Sequence, residues 1–151
     1  MTDDFCNKLS NGAGIKKDIF QLLSLVKSRA YCPYSNFPVA CIIELKDGHL
    51  IPGCNVENAS YSMTICAERS AIASAISQGF KPDQMDTFYV ITKLDYCVFP
   101  CGACRSAIAE MNPKARVVVV SSDGGKVEEH SIETLLPCSF SSSDLQKSAQ
   151  I

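Results

Sequence analysis

Residues 86–121 read DTFYVITKLDYCVFPCGACRSAIAEMNPKARVVVVS, and the fold follows from them. Asp86 to Thr92 is apolar and β-branched enough to form a buried strand. Residues 101–111 fit a short helix that Asn112-Pro113 ends, because proline cannot continue a helical hydrogen-bond ladder. Arg116 to Ser121 carries four consecutive valines, the pattern of a central strand buried on both faces. A strand, a helix and a strand in that order imply parallel pairing through a right-handed crossover.

Upstream, residues 66–78 place Ala67, Ala71, Ile72, Ala75 and Ile76 on a helix, and Gly79 suits the position just past its end. Residues 38–45 and 49–54 read as two strands of a hairpin around Lys46-Asp47-Gly48. Ile15, Ile19, Leu22, Leu23 and Val26 recur at helical spacing over residues 15–30, and the stretch from Tyr31 to Asn36 breaks that helix. Downstream, Asp123-Gly124-Gly125 is a turn, 126–130 an edge strand and 132–136 a final short helix. The expected class is α/β, a three-layer α/β/α arrangement with a mixed sheet of about five strands and helices on both faces. One domain is expected over 15–145, after a loose N-terminal segment at 1–14 and before a frayed tail at 146–151.

The 151 residues include 14 Lys+Arg against 16 Asp+Glu, a net charge of −2. A polynucleotide binder carries a basic surplus, so no nucleic-acid partner is expected. No apolar run approaches the roughly 20 residues that span a bilayer. Met1-Thr2-Asp3-Asp4-Phe5 is acidic and has no apolar signal core, so the expected location is the cytoplasm, where thiols stay reduced or bind metal. That bears on the nine cysteines, whose odd number also fits a disulfide framework poorly.

Pro100-Cys101-Gly102-Ala103-Cys104 sets two thiols at i and i+3 in the first turn of a helix, on one face. Alone this spacing leaves metal binding, redox chemistry and plain packing open. Cys66-Ala67-Glu68 opens the other internal helix, and both helix starts lie outside the carboxyl ends of their strands, where open α/β sheets place their sites. Three thiolates converging there make a zinc site with one coordination position open, the mark of a catalytic centre. Glu68, two residues after Cys66, is a candidate general base. The alternative is a closed four-cysteine site with Cys54 or Cys97 as fourth ligand. Cys6, Cys32, Cys41 and Cys138 read as packed or surface thiols, and His49 and His130 as surface residues.

Zinc nucleobase deaminases carry a His-x-Glu…Pro-Cys-x-x-Cys signature, with variants that use three cysteines. The present Cys66-Ala67-Glu68…Pro100-Cys101-Gly102-Ala103-Cys104 resembles the small cytidine deaminases of pyrimidine salvage, the type with a Cys-Ala-Glu-Arg motif. The resemblance extends over roughly residues 15–145. Tyr34-Ser35-Asn36-Phe37-Pro38-Val39 is similar to that family's Tyr-Ser-x-Phe-x-Val segment. Gly53 to Tyr61 is similar to its nucleoside-binding loop, and Leu135 to Phe140 to its C-terminal segment. Ala40 and Cys138 stand where the family commonly has glycine.

The resemblance implies one zinc per subunit held by Cys66, Cys101 and Cys104, and hydrolysis of cytidine or 2′-deoxycytidine to the uridine and ammonia. Glu68 would move the protons. Asn55 and Glu57 would bind the ribose hydroxyls, Phe37 would pack against the pyrimidine, and Ala67 would line the substrate site. The family is usually a homotetramer with shared sites, for which Asn58, Ala59, Ser60, Tyr61 and Phe140 are the candidate shared lining. Read without the resemblance, Asn55 is a loop cap, Glu57 a solvated carboxylate and Phe37 a core residue. Three thiolates on a dication leave a net charge of −1, so a cation should stand close by. Arg69 and Arg105 are three and four residues beyond a cysteine on their helices, and the resemblance favours Arg69. The rivals are a polynucleotide deaminase, a deaminase of another small substrate that needs no ribose grip, and a non-enzymatic zinc-stabilised module.

Overall fold

In the computed structural model, residues 17–141 and 144–146 are described. The N-terminal segment 1–14, Ile15 and the end of the tail from 147 lie outside them. Helix α1 (Lys17–Lys27) has Asp18 in its first turn and Lys27 in its last, charges that complement the helix dipole. It buries Ile19, Leu22, Leu23 and Val26. These pack on Ala40, Ile42, Leu50, Ile91 and Val120, which belong to one face of the sheet.

Strands β1 (Ala40–Leu45) and β2 (Leu50–Cys54) form the antiparallel hairpin. Gly48 supplies the left-handed φ of 89° that its turn requires. Helix α2 (Ala67–Ser77) follows, with Gly79 at φ 90° just beyond it. Then come β3 (Met85–Ile91), α3 (Gly102–Met111), β4 (Arg116–Val120), β5 (Val127–Ser131) and the short α4 (Ile132–Leu135). The Ser131 side chain caps α4 by accepting from the Thr134 amide at 3.1 Å. No helix among the described residues is long and apolar enough to cross a membrane.

The five strands run in the order β2-β1-β3-β4-β5. Only β3 and β4 pair in parallel, with Phe88 opposite Val117 and Val90 opposite Val119. The parallel pairing expected of the first strand–helix–strand unit does not occur, because β1 lies between β2 and β3 and pairs antiparallel with both. Helix width explains it. An α-helix about 10 Å across covers two strand spacings of about 4.8 Å, so α2 crosses over β1 on its way from β2 to β3. The valine strand β4 is second from the edge rather than central. Its valines are nonetheless buried on both faces.

The second core unites Cys41, Ile43 and Ile51 with Phe88, Val90, Val117 and Val119, under Ala67, Ala71 and Ala75 of α2 and Ile108 of α3. The layers are therefore α/β/α, with α1 on one face and α2 and α3 on the other. The alanine stripe lets α2 sit close to the sheet, and Gly53 of β2 sets how close. A Cβ at residue 53 would overlap the backbone of Ala67 and Ala71. We expect Gly53→Ala to cost about 2–3 kcal/mol in urea unfolding, the scale of core overpacking. The variant should also loosen the start of α2.

Candidate active site

The carboxyl ends of β2 and β3 lie at the same edge of the sheet, and α2 and α3 both begin there. Cys66 is the N-cap of α2 and Cys101 the N-cap of α3, both extended in backbone. Cys104 follows in the first turn of α3, fully buried. The three sulfurs lie within 4.8 Å of one another. The helix N-termini favour thiolate at such positions. Cys104 Sγ donates to Oε2 of Glu68 at 3.3 Å, and the Cys66 sulfur is a second hydrogen-bonding neighbour of the same thiol. The hydrogen bond between Cys66 and Cys104 brings Cys66 down to about 6. It pushes Cys104 well up, and burial adds to the rise.

A tetrahedral zinc with Zn–S bonds of about 2.3 Å needs sulfurs roughly 3.8 Å apart, so this cluster closes on the ion with small adjustments. Three soft thiolates are a zinc-type donor set, and they leave one position open. The two proposed fourth ligands point elsewhere. Cys54 Sγ donates to the Arg29 carbonyl at 3.8 Å, and Cys97 Sγ to the Val119 carbonyl at 3.4 Å.

The cluster forms the floor of a cleft of about 400 Å³. Glu68 lines this floor at 4% exposure, and burial lifts its carboxyl above the ordinary value. Phe37, Val39, Val90, Val98 and Phe99 make an apolar wall, and Ala67 lies fully buried beside Glu68. Asn55, Glu57, Ser35, Thr64 and Thr92 supply polar groups. Glu57 Oε2 accepts from the amides of Tyr34 at 3.0 Å and Ser35 at 3.2 Å, and its Oε1 accepts from the Ser35 hydroxyl. The Ser35 hydroxyl and these amides hold the Glu57 carboxyl below its ordinary value. Asn55 Oδ1 accepts from the Val39 amide at 2.8 Å and Nδ2 donates to the Phe37 carbonyl at 3.0 Å. The amide is thus the loop brace that its residue type suggests, and it also faces the cleft.

Not every sequence candidate reaches the cleft. Asn58, Ala59, Ser60 and Tyr61 are exposed outside its lining, with Tyr61 at 71% and set edge-on against Tyr34. Phe140 is 74% exposed. Arg69 donates from Nη2 to the Thr64 carbonyl at 2.8 Å, and its charge lowers both Cys66 and Glu68. Arg105 spends its guanidinium on the carbonyls of Pro100 at 2.8 Å and Leu135 at 2.9 Å, tying the start of α3 to the C-terminal segment. His49 and His130 lie outside the lining. His130 stacks edge-on against Phe99 at 5.0 Å. Val90, Thr92, Val98 and Phe99 were not singled out from sequence. Their signal was position: Val90 and Thr92 end a strand, and Val98 and Phe99 directly precede Pro100-Cys101.

The model of the cytidine and deoxycytidylate deaminase zinc-binding region matches residues 14–121. The chain is 40% identical over 124 residues to the cytidine deaminase of Sporosarcina psychrophila, covering 82% of this chain and 90% of that one. It is 39% identical over 122 residues to the probable cytidine deaminase of Dictyostelium discoideum, covering 80% of each. A crystal structure of cytidine deaminase from Burkholderia pseudomallei superposes with a TM-score of 0.77 at 38% identity, over 80% of this chain and 95% of the other.

Metal analysis of the purified protein should find one zinc per chain. Cys101→Ser and Cys104→Ser should each reduce it to under about one tenth, since loss of a ligand undoes the site. Cys54→Ser and Cys97→Ser should leave it unchanged.

Proposed function

Because the chain belongs to the cytidine and deoxycytidylate deaminase family, we propose that it hydrolyses the exocyclic amine of cytidine, and of 2′-deoxycytidine, in pyrimidine salvage. The observation that carries this reading is the buried Glu68 carboxylate beside the three-thiol cluster, at the bottom of a cleft whose rim holds a fixed carboxylate.

Zinc held by Cys66, Cys101 and Cys104 supplies Lewis acidity that brings the ionisation of water toward pH 7. Glu68 takes a proton from water and gives it to N3 of the base, which makes C4 electrophilic. After the remaining hydroxide adds at C4, Glu68 takes the proton of the new C4 hydroxyl and passes it to the amine, and ammonia leaves as the C4 carbonyl of uridine forms. One carboxylate serves as base and then as acid. Its raised pKa suits the second role. Arg69 stands beside the cluster and offsets part of its excess negative charge.

Phe37 packs against the pyrimidine ring. Glu57, kept ionised by the Ser35 hydroxyl and two amides, is an acceptor only, which matches the donating hydroxyls of a sugar. Asn55 keeps the wall in place and has one amide hydrogen left for the same sugar. Tyr61 and Phe140, both widely exposed aromatics, fit burial against further copies of the chain, and the assembly we propose is a homotetramer with shared sites. The cysteine usage suits a cytoplasmic location.

Zinc-loaded Glu68→Gln should retain its metal and lose at least about 10³-fold in cytidine turnover, followed by the fall in cytidine absorbance. Near-normal activity would remove Glu68 from the reaction. Cytosine in a single-stranded oligonucleotide should remain unconverted when free cytidine is consumed, because a net charge of −2 and the Glu57 carboxylate repel phosphates. Sequencing the incubated oligonucleotide reads this out, and conversion at a comparable rate would contradict it.

A further inference from the structure

The segment from Tyr34 to Val39 arches over one side of the cleft and carries Phe37. Its β2 side is tied down twice, by the Asn55 amide and by the Glu57 carboxylate. A third tie comes from the opposite side, out of the loop that follows β3. Lys93 Nζ donates to the Asn36 carbonyl at 2.6 Å. The same ammonium stands 5.8 Å from the centroid of the Phe37 ring, within cation–π range.

Both ends of this contact are prepared. Asn36 adopts a left-handed φ of 52°, a conformation that costs a non-glycine residue energy and persists where its surroundings hold it. At the other end, the residue before Lys93 is anchored. Lys27 of α1 donates to the Thr92 carbonyl at 3.2 Å, and the Thr92 hydroxyl accepts from the Leu94 amide at 3.2 Å. Lys93 therefore extends from a fixed root, and its ammonium bridges the two sides of the cleft.

We propose that Lys93 is a positioning residue for substrate affinity: it holds the Asn36–Phe37 wall against the loop after β3 and so presents the Phe37 ring to the base. The proposal rests on the reading of Phe37 as the wall that packs on the pyrimidine. Lys93 is exposed and is not part of the cleft lining, so it touches neither the metal ligands nor Glu68. Its loss should leave the chemical step alone and weaken the binding of substrate and product alike.

The test compares wild type, Lys93→Met and Lys93→Arg by steady-state kinetics with cytidine and by calorimetric binding of uridine. Lys93→Met keeps the aliphatic stem and removes the donor and the charge. It should raise KM and the uridine Kd by about three- to tenfold, with kcat within about twofold of wild type. Lys93→Arg keeps a cation and a donor and should return both constants to within about twofold. Lys93→Gln, neutral but still a donor, should fall between, and serves if the Met variant does not fold. An active Lys93→Met enzyme with unchanged KM and uridine affinity overturns the role of Lys93 alone. A fall in kcat without change in KM overturns it too. Zinc-loaded wild type that neither turns over cytidine nor binds uridine defeats the reading of the cleft, and this proposal with it.

Discussion

Two helices begin at one edge of the sheet, and the meeting of their first turns is the constraint on which the rest depends. Cys66 caps α2, Cys101 caps α3 and Cys104 follows one turn later, so three sulfurs reach one point through backbone geometry. Their depth is set far from the cysteines. The alanine stripe of α2 and the missing side chain of Gly53 let the helix lie on β1 and β2, which brings Cys66 down to the level of α3. A bulkier sheet surface would lift one ligand away from the other two.

The same convergence creates an electrostatic problem. Three thiols and a buried carboxylate share a small volume, and each negative charge there raises the cost of the next. The structure meets this in two ways. Burial lifts the Glu68 carboxyl, which makes it a better proton carrier, while the charge of Arg69 works to lower both Cys66 and Glu68. Glu57 is the opposite case. It sits at the rim under three hydrogen bonds and stays a fixed acceptor. Two carboxylates in one cleft are thus driven apart in character by burial at the floor and by donors at the rim.

Much of this was legible in the sequence, because strong local signals mark the boundaries. Gly48 and Gly79 take the left-handed angles their positions imply, and Cys138 also adopts a positive φ of 56°. The cysteine cluster was legible because helix starts in strand–helix–strand units fall at one sheet edge. The separation of β2 from β3 by β1 was not, since strand order is decided by which edges remain free after the hairpin forms. The bracing role of Asn55 was half visible. A lone asparagine in a loop suggests a cap, but its partners Phe37 and Val39 lie 18 and 16 residues away and only the fold brings them near. Phe99 and Thr92 carry no motif of their own, and their place in the cleft follows from the path of the chain between β3 and Cys101.

The central claim is that three thiols, and not four, hold the metal and leave a position free for chemistry. X-ray absorption at the zinc edge of the purified protein tests it directly. The account predicts three sulfur neighbours at about 2.3 Å and one lighter atom. Four sulfur neighbours would describe a closed structural site and contradict it.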